Sequence, residues 1–285
     1  SASSTSMPGV AAQTSTHSAA SSVSVSCSFK CISPLKGAST APWVLHGSVG
    51  RERSLAFGQV PLASARVLKE SHGATVNDVV MTMTASALRR WLLDHDALPR
   101  VPLVAAVPVS IRTEDQRGTH GNEVSVMIAE LPTHLGGALE RAEATRDAMQ
   151  EAKQHFQAAP PSLYQDLSTV IPTALSGQVA RTLFRAATVP GVLFNLFVSN
   201  IPGPQLPLYL AGARVEGLYP ASAVTDWTGG LNITLFSYDG HLDFGLIACR
   251  EMVPDVWNLV GYLQEALAEL VALAEAQGEG GDGSA

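Results

Sequence analysis

Leu231-Asn-Ile-Thr-Leu-Phe-Ser-Tyr-Asp-Gly-His-Leu-Asp-Phe-Gly-Leu-Ile-Ala248 reads as two strands joined at Asp239-Gly240, a dipeptide suited to the positive φ angles of a two-residue type I′ turn. That turn fixes the register. It pairs Tyr238 with His241, Phe236 with Asp243, Thr234 with Gly245 and Asn232 with Ile247. Alternation then gathers Leu231, Ile233, Leu235, Leu242, Phe244, Leu246 and Ala248 on one apolar face fit for packing on helices. The other face is mixed: Asn232, Thr234, Tyr238, His241 and Asp243, with Phe236 and Ile247 among them. Downstream, Val256, Leu259, Val260, Leu263, Leu267, Leu270 and Leu273 recur at helical spacing, predicting a helix over Pro254–Ala276 that covers the apolar face.

Working upstream, Val192–Asn200 reads as a buried strand stopped by Ile201-Pro202-Gly203-Pro204, and Leu206–Leu218 supplies further strand. Val101–Pro108 and Glu123–Leu131 are short apolar runs of strand type. Gly136–Ala158 and Ser162–Ala187 are long helical stretches separated by Pro160-Pro161. Nearer the start, Arg53–Val60 is a strand candidate. Thr75-Val-Asn-Asp78 is a variant capping box opening a helix, in which Val76, Val79, Val80, Met83, Leu88, Trp91 and Leu92 predict burial of one face. Strands alternating with helices over this length predict one large α/β body with a mixed sheet, spanning residues 42–276. Residues 1–41 are Ser-, Ala- and Thr-rich, with no charged side chain before Phe29, and are expected to be disordered, as is a tail at 277–285.

The chemistry is bounded mostly by exclusion. With 18 basic and 25 acidic residues, a formal charge of -7 and no Lys/Arg cluster, the chain lacks the electrostatic footprint of a nucleic-acid binder. Cys27, Cys31 and Cys249 form neither a disulfide framework nor a zinc spacing, which suits a reducing, cytoplasmic compartment, and Cys249 reads as a small buried hydrophobe. No G-x-S-x-G elbow occurs, and Gly229-Gly230 lacks a phosphate-binding pattern. His17, His46, His72, His95, His120, His134, His155 and His241 are scattered with no metal spacing. Only His120 and His241 sit beside polar residues of interest, with a surface turn as the commoner reading of each and catalysis as the alternative. The chain holds no run of ~20 apolar residues, so membrane contact is expected to be peripheral. An apolar fraction of 46% leaves room for a partner or lipid surface.

Six stretches carry a resemblance. Thr75-Val-Asn-Asp78, Pro108-Val-Ser-Ile-Arg112, Gly121-Asn122, Ser199-Asn-Ile-Pro-Gly-Pro204, Leu208-Tyr-Leu-Ala-Gly212 and Leu231–Gly240 resemble, in that order, the carboxy-terminal region of wax ester synthase/diacylglycerol acyltransferases, over about Trp43–Ala274. The resemblance implies half of a chloramphenicol-acetyltransferase-like fold, in which two α/β halves enclose a tunnel. It implies acyl-CoA as co-substrate, no cofactor, and a lipid alcohol as acceptor, either diacylglycerol or a long-chain alcohol. The family's general base is the second histidine of H-H-x-x-x-D-G in the amino-terminal half. Here no two histidines adjoin and none has Asp four residues on. The resemblance therefore implies an amino-terminal catalytic half as partner, in cis or in trans, with a peripheral membrane or lipid-droplet surface as a further contact. The alternative is a non-catalytic lipid-binding or scaffold module of the same fold.

Within that frame Asn77 and Asp78 stand at a helix start, where backbone N–H groups favour an acceptor or anion, and Asp78 reads equally as a cap. Asn200 either donates into the tunnel or ties down the turn after it. Asn232 and Thr234 either border the tunnel or face solvent. Arg112 is read as holding the loop after it through an ion pair, with a CoA phosphate as the alternative. Gly203 and Gly212 are read as backbone necessities.

Overall fold

The quoted hairpin lies near the middle of the sheet. A computed structural model of the chain describes residues 45–110, 124–158, 194–226 and 228–281. The expectations for residues 1–41, Arg112, His120, Gly121-Asn122, Pro160-Pro161 and the helix at Ser162–Ala187 lie outside them.

In chain order the elements are β1 (Arg53–Pro61), α1 (Leu62–His72), α2 (Val76–Asp94), β2 (Leu103–Ser110), β3 (Val124–Leu131), α3 (Ala138–Ala158), β4 (Leu196–Ile201), β5 (Tyr209–Leu210), β6 (Ala213–Arg214), β7 (Leu231–Tyr238), β8 (His241–Cys249) and α4 (Val256–Gly281). Six strands form one mixed sheet in the order β1-β8-β7-β4-β2-β3. β2, β4 and β7 run parallel, and the pairs at either side are antiparallel.

Asp239 (φ 41°) and Gly240 (φ 84°) form the turn, and β7 and β8 adopt the register that the turn dictates, from Tyr238 opposite His241 to Asn232 opposite Ile247. Their apolar face joins Val256, Leu259 and Leu263 of α4 in a core that also takes in α1, α2 and α3. All these helices therefore form a layer against one side of the sheet. α4 continues to Gly281, past the expected end at Ala276. The further strand expected over Leu206–Leu218 is β5 and β6, two residues each, which form a small separate hairpin. α1 follows β1 without a gap and has Pro61 at its N-cap with no side-chain cap bond. It therefore lacks the usual start signal in sequence, although Gly73 ends it in the left-handed conformation.

α2 corrects the expectation of one buried face. Every residue from Asp78 to Leu88 is buried. The polar ones hide their hydroxyls: Thr82 Oγ1 donates to the Asp78 carbonyl at 2.8 Å and Thr84 Oγ1 to the Val80 carbonyl at 2.9 Å. Ser86 Oγ accepts a hydrogen bond at 3.1 Å from Arg141 of α3. Ala85 and Ala87 add little bulk, so α2 can run through the middle of the helical layer with neighbours on all sides.

Candidate functional site

Helix contacts fix which end of the sheet α2 begins at. Trp91 Nε1 donates to Asp255 at 2.9 Å, just before α4 starts, and Tyr262 Oη donates to Asp94 at 2.5 Å. Arg90 pairs with Glu265, and Asp78, Val79 and Thr82 share a cavity with Leu270. α2 is thus antiparallel to α4. Its carboxyl end lies beyond the end of β8, and its amino end lies where β2, β4 and β7 finish. In open α/β sheets, the crevice at the carboxyl ends of parallel strands is where ligands bind. Asn77 and Asp78 at the start of α2 and Asn200 near the end of β4 share that end.

The start of α2 is held by a reciprocal cap. Thr75 Oγ1 accepts from the Asp78 N–H at 3.2 Å, and Asp78 Oδ2 accepts from the Thr75 N–H at 2.7 Å. Asp78 Oδ1 takes no hydrogen bond within the described residues, with Lys153 Nζ 3.8 Å away. Asp78 also lines a cavity of about 190 Å³, otherwise mostly apolar, between α1, α2, α3 and α4. Its side chain is therefore both a cap and a wall of that cavity.

The remaining candidates divide between the two faces. Asn200 continues the row of Leu196 and Val198 and pairs with Leu235, on the helix-bearing side. Asn232 and Thr234 lie on the opposite side, Asn232 beside Phe197 and Thr234 beside Ser199. Both are buried, and Thr234 Oγ1 donates to Asn232 Oδ1 at 2.8 Å. They are not solvent-facing, because residues 215–220 cross this face. A Cβ on Gly245, the cross-strand partner of Thr234, would overlap the Pro220 carbonyl oxygen. The Leu218 N–H donates to Asp243 Oδ2 at 2.6 Å. Gly203 donates its N–H to Ser237 Oγ at 3.0 Å, so close to Phe236 and Ser237 that no side chain fits. Gly212 (φ 85°) follows Ala211 (φ 50°) in the β5–β6 turn, with open space around it. Cys249 is fully buried, and its Sγ–H donates to Glu251 at 3.0 Å.

Two buried charged groups were not singled out from sequence. Arg141 of α3 reaches Ser86 and donates to the carbonyls of Leu135 at 3.0 Å and Gly136 at 2.7 Å. Burial holds its pKa below the usual guanidinium range. Spacing could have found it, since it lies in the buried row Ala138, Thr145, Met149 and Ala152. Asp243 is fully buried with Oδ1 unbonded. Burial raises its pKa, against the lowering effects of the Leu218 N–H and of His241. A carboxyl whose folded pKa exceeds its unfolded one holds its proton more tightly in the native state. Its stabilisation is full below the ordinary aspartate range and is lost as pH rises through the raised value. Asp243→Asn should keep the Leu218 bond and flatten the pH dependence of urea stability over that window. An unchanged slope would show that Asp243 does not titrate there.

Among the described residues no helix is long and apolar enough to cross a membrane.

A family model described as the WS/DGAT C-terminal domain matches residues 120–271. O-acyltransferase WSD of Acinetobacter baylyi is 37% identical over 224 residues, which cover 79% of this chain and 47% of that protein. A Mycobacterium tuberculosis protein provisionally named diacylglycerol O-acyltransferase is 34% identical over 242 residues, 85% of this chain and 48% of that one. The solved wax ester synthase/diacylglycerol acyltransferase from Marinobacter aquaeolei superposes with a TM-score of 0.66 at 37% identity, covering 81% of this chain and 51% of that one. The chain spans about half the length of the relatives it matches.

Proposed function

Because the chain belongs to the wax ester synthase/diacylglycerol acyltransferase family, as its carboxy-terminal domain, we propose that it supplies half of an acyl-CoA-dependent O-acyltransferase that forms triacylglycerol or wax ester. The family match carries this reading. The candidate geometry agrees with it, since Asn77, Asp78 and Asn200 share the sheet end that commonly takes a ligand. In the proposed reaction an amino-terminal half provides the histidine base. The base takes the alcohol proton as the alcohol oxygen attacks the thioester carbonyl. The acyl C–S bond then breaks, and the CoA thiolate takes up the proton. The carboxy-terminal half holds thioester and hydroxyl in contact, which saves the entropy of bringing them together. In this reading Asn200 would offer amide donors to the acyl or alcohol group, and Asp78 Oδ1, which takes no hydrogen bond among the described residues, would accept from one. The enzyme would be cytoplasmic and meet its lipid acceptor at a membrane or droplet surface.

The test is to join the amino-terminal half of the Marinobacter enzyme to this chain and assay ester formation from acyl-CoA with diacylglycerol and with a long-chain alcohol. Activity is expected in the joined protein and in neither half alone, and Asn200→Ala should lower kcat by at least tenfold. A folded joined protein that binds lipid without forming ester would instead identify a non-catalytic binding module.

A further inference from the structure

On the helical side, α2, α4 and the turn into α3 border a second cavity, of about 370 Å³, whose wall includes Arg89, Arg90, Gly136, Arg141, Glu265 and Glu269. It lies away from the candidate site. Arg89 is twelve residues along α2 from Asn77, about 18 Å at the rise of an α-helix. The acyl-transfer reading makes no use of this cavity.

The charges on its wall do not cancel. Arg90 is accounted for, since it pairs with Glu265 and lies 4.7 Å from the centre of the Tyr262 ring. Arg89 and Arg141 pair with no carboxylate among the described residues and bond neutral groups instead. Arg89 Nη1 donates to the Thr133 carbonyl at 2.9 Å and to the His134 carbonyl at 3.0 Å. Arg141 gives Nε to Ser86 and Nη1 to the carbonyls of Leu135 and Gly136. Nε and Nη2 of Arg89 and Nη2 of Arg141 are left without an acceptor among the described residues. Of the neighbouring charges, exposed Glu269 acts most strongly on Arg141, ahead of Arg89 and Glu140. Two guanidinium charges thus face one carboxylate in this wall.

The donors are also held in place. Arg141 is only 4% exposed and is fixed by its three bonds, so engaging its remaining nitrogen costs little rotamer freedom. Both guanidinium groups come to Gly136. Arg141 Nη1 bonds its carbonyl at 2.7 Å, and Arg89 Nη2 lies 3.9 Å from where a Cβ on that glycine would stand, with no other atom so near. The glycine therefore leaves the space beside the two forks clear. Sheltered donors without an acceptor are costly, and ordered guanidinium forks are suited to gripping an oxyanion. A carboxylate offers two oxygens in one plane. A phosphate group offers oxygens in several directions, so it can accept from forks on α2 and α3 at once, and its charge answers the excess.

We propose that this cavity is a binding site for a phosphate group, free or esterified to a small molecule, gripped by Arg89 and Arg141 and bounded by Glu269. Filling it ties α2, α3 and α4 together and stabilises the helical layer, as any ligand of the folded state does. The test uses the full chain and follows the NMR signals of the Gly136 amide and the Arg89 Nε–H while inorganic phosphate is added at an ionic strength held constant with chloride. Both signals should shift saturably. Arg89→Gln should weaken binding roughly tenfold or more, the loss of a charge-assisted hydrogen bond. Glu269→Gln, on an exposed carboxylate, should tighten it about threefold by removing a like charge. That gain separates the site from mere misfolding, since a variant that only unfolds cannot bind more tightly. Glycerol phosphate is titrated in parallel: tighter binding than inorganic phosphate identifies an esterified ligand, and weaker binding the free ion. No saturable shift, or the same shift with chloride alone, would overturn the proposal. So would a phosphate affinity that neither variant changes. Coenzyme A shifting the same signals at lower concentration than glycerol phosphate would overturn it as a second site and make the cavity part of the acyl-CoA path.

Discussion

Gly245→Ala is expected to destabilise the chain by about 3 kcal/mol or more, at the upper end of what overpacking costs. The added methyl would overlap the Pro220 carbonyl oxygen and come within 2.9 Å of its carbon. β8 cannot yield, because it is bonded on both sides, to β1 and to β7. The segment around Pro220 must move instead. Its displacement breaks the Leu218–Asp243 bond and lets water reach the buried Asn232–Thr234 pair. Urea denaturation measures the loss, and proteolysis should show new cleavage between Val215 and Asp226. A loss below about 1 kcal/mol, within the ordinary range for a single substitution, would mean that the crossing segment does not rest on the sheet.

Arg141→Met should cost about 2–4 kcal/mol, the penalty of leaving carbonyls and a hydroxyl unpaired in a mostly buried place. Methionine keeps the length of the stem, so the loss reports the guanidinium and not its bulk. Three elements meet on this one side chain: Ser86 of α2, the Leu135-Gly136 turn and α3 itself. Arg141→Lys retains the charge but not the planar fork, and should recover less than half of the stability. Full recovery by lysine would show that charge alone matters, through Glu269 nearby.

The hairpin was legible because Asp239-Gly240 encodes its turn, and the turn encodes the register. The start of α2 was legible because Thr75 and Asp78 stand three apart, as a capping box requires. α1 was not, since Pro61 offers no capping side chain and the strand passes straight into the helix. Nor was the all-round burial of α2, because Thr82, Thr84 and Ser86 read as polar until their hydroxyls are seen to bond inside the layer. Arg141 was not singled out, since its partners are carbonyls and a hydroxyl, which no charge pattern displays. The site is half legible. Asn77, Asp78 and Asn200 can be named from sequence, but their common end depends on α2 and α4 running antiparallel. Asn232 and Thr234 carry the same alternation whether a face is wet or covered, and only the path of residues 215–220 shows which it is.

The placement of β1 has a consequence for synthesis. Among the described residues it pairs only with β8, Arg53 opposite Cys249. Roughly 200 residues must leave the ribosome between the two, which takes about 10–40 s at usual elongation rates. β4 likewise enters between β2 and β7, parallel to both, and closes loops too long to form early. During that interval the nascent chain carries an unpaired apolar strand, with Leu55 and Phe57 on it. Holding β1 until β8 arrives is work suited to a chaperone that binds emerging chains, and its demand should fall sharply once Cys249 has emerged.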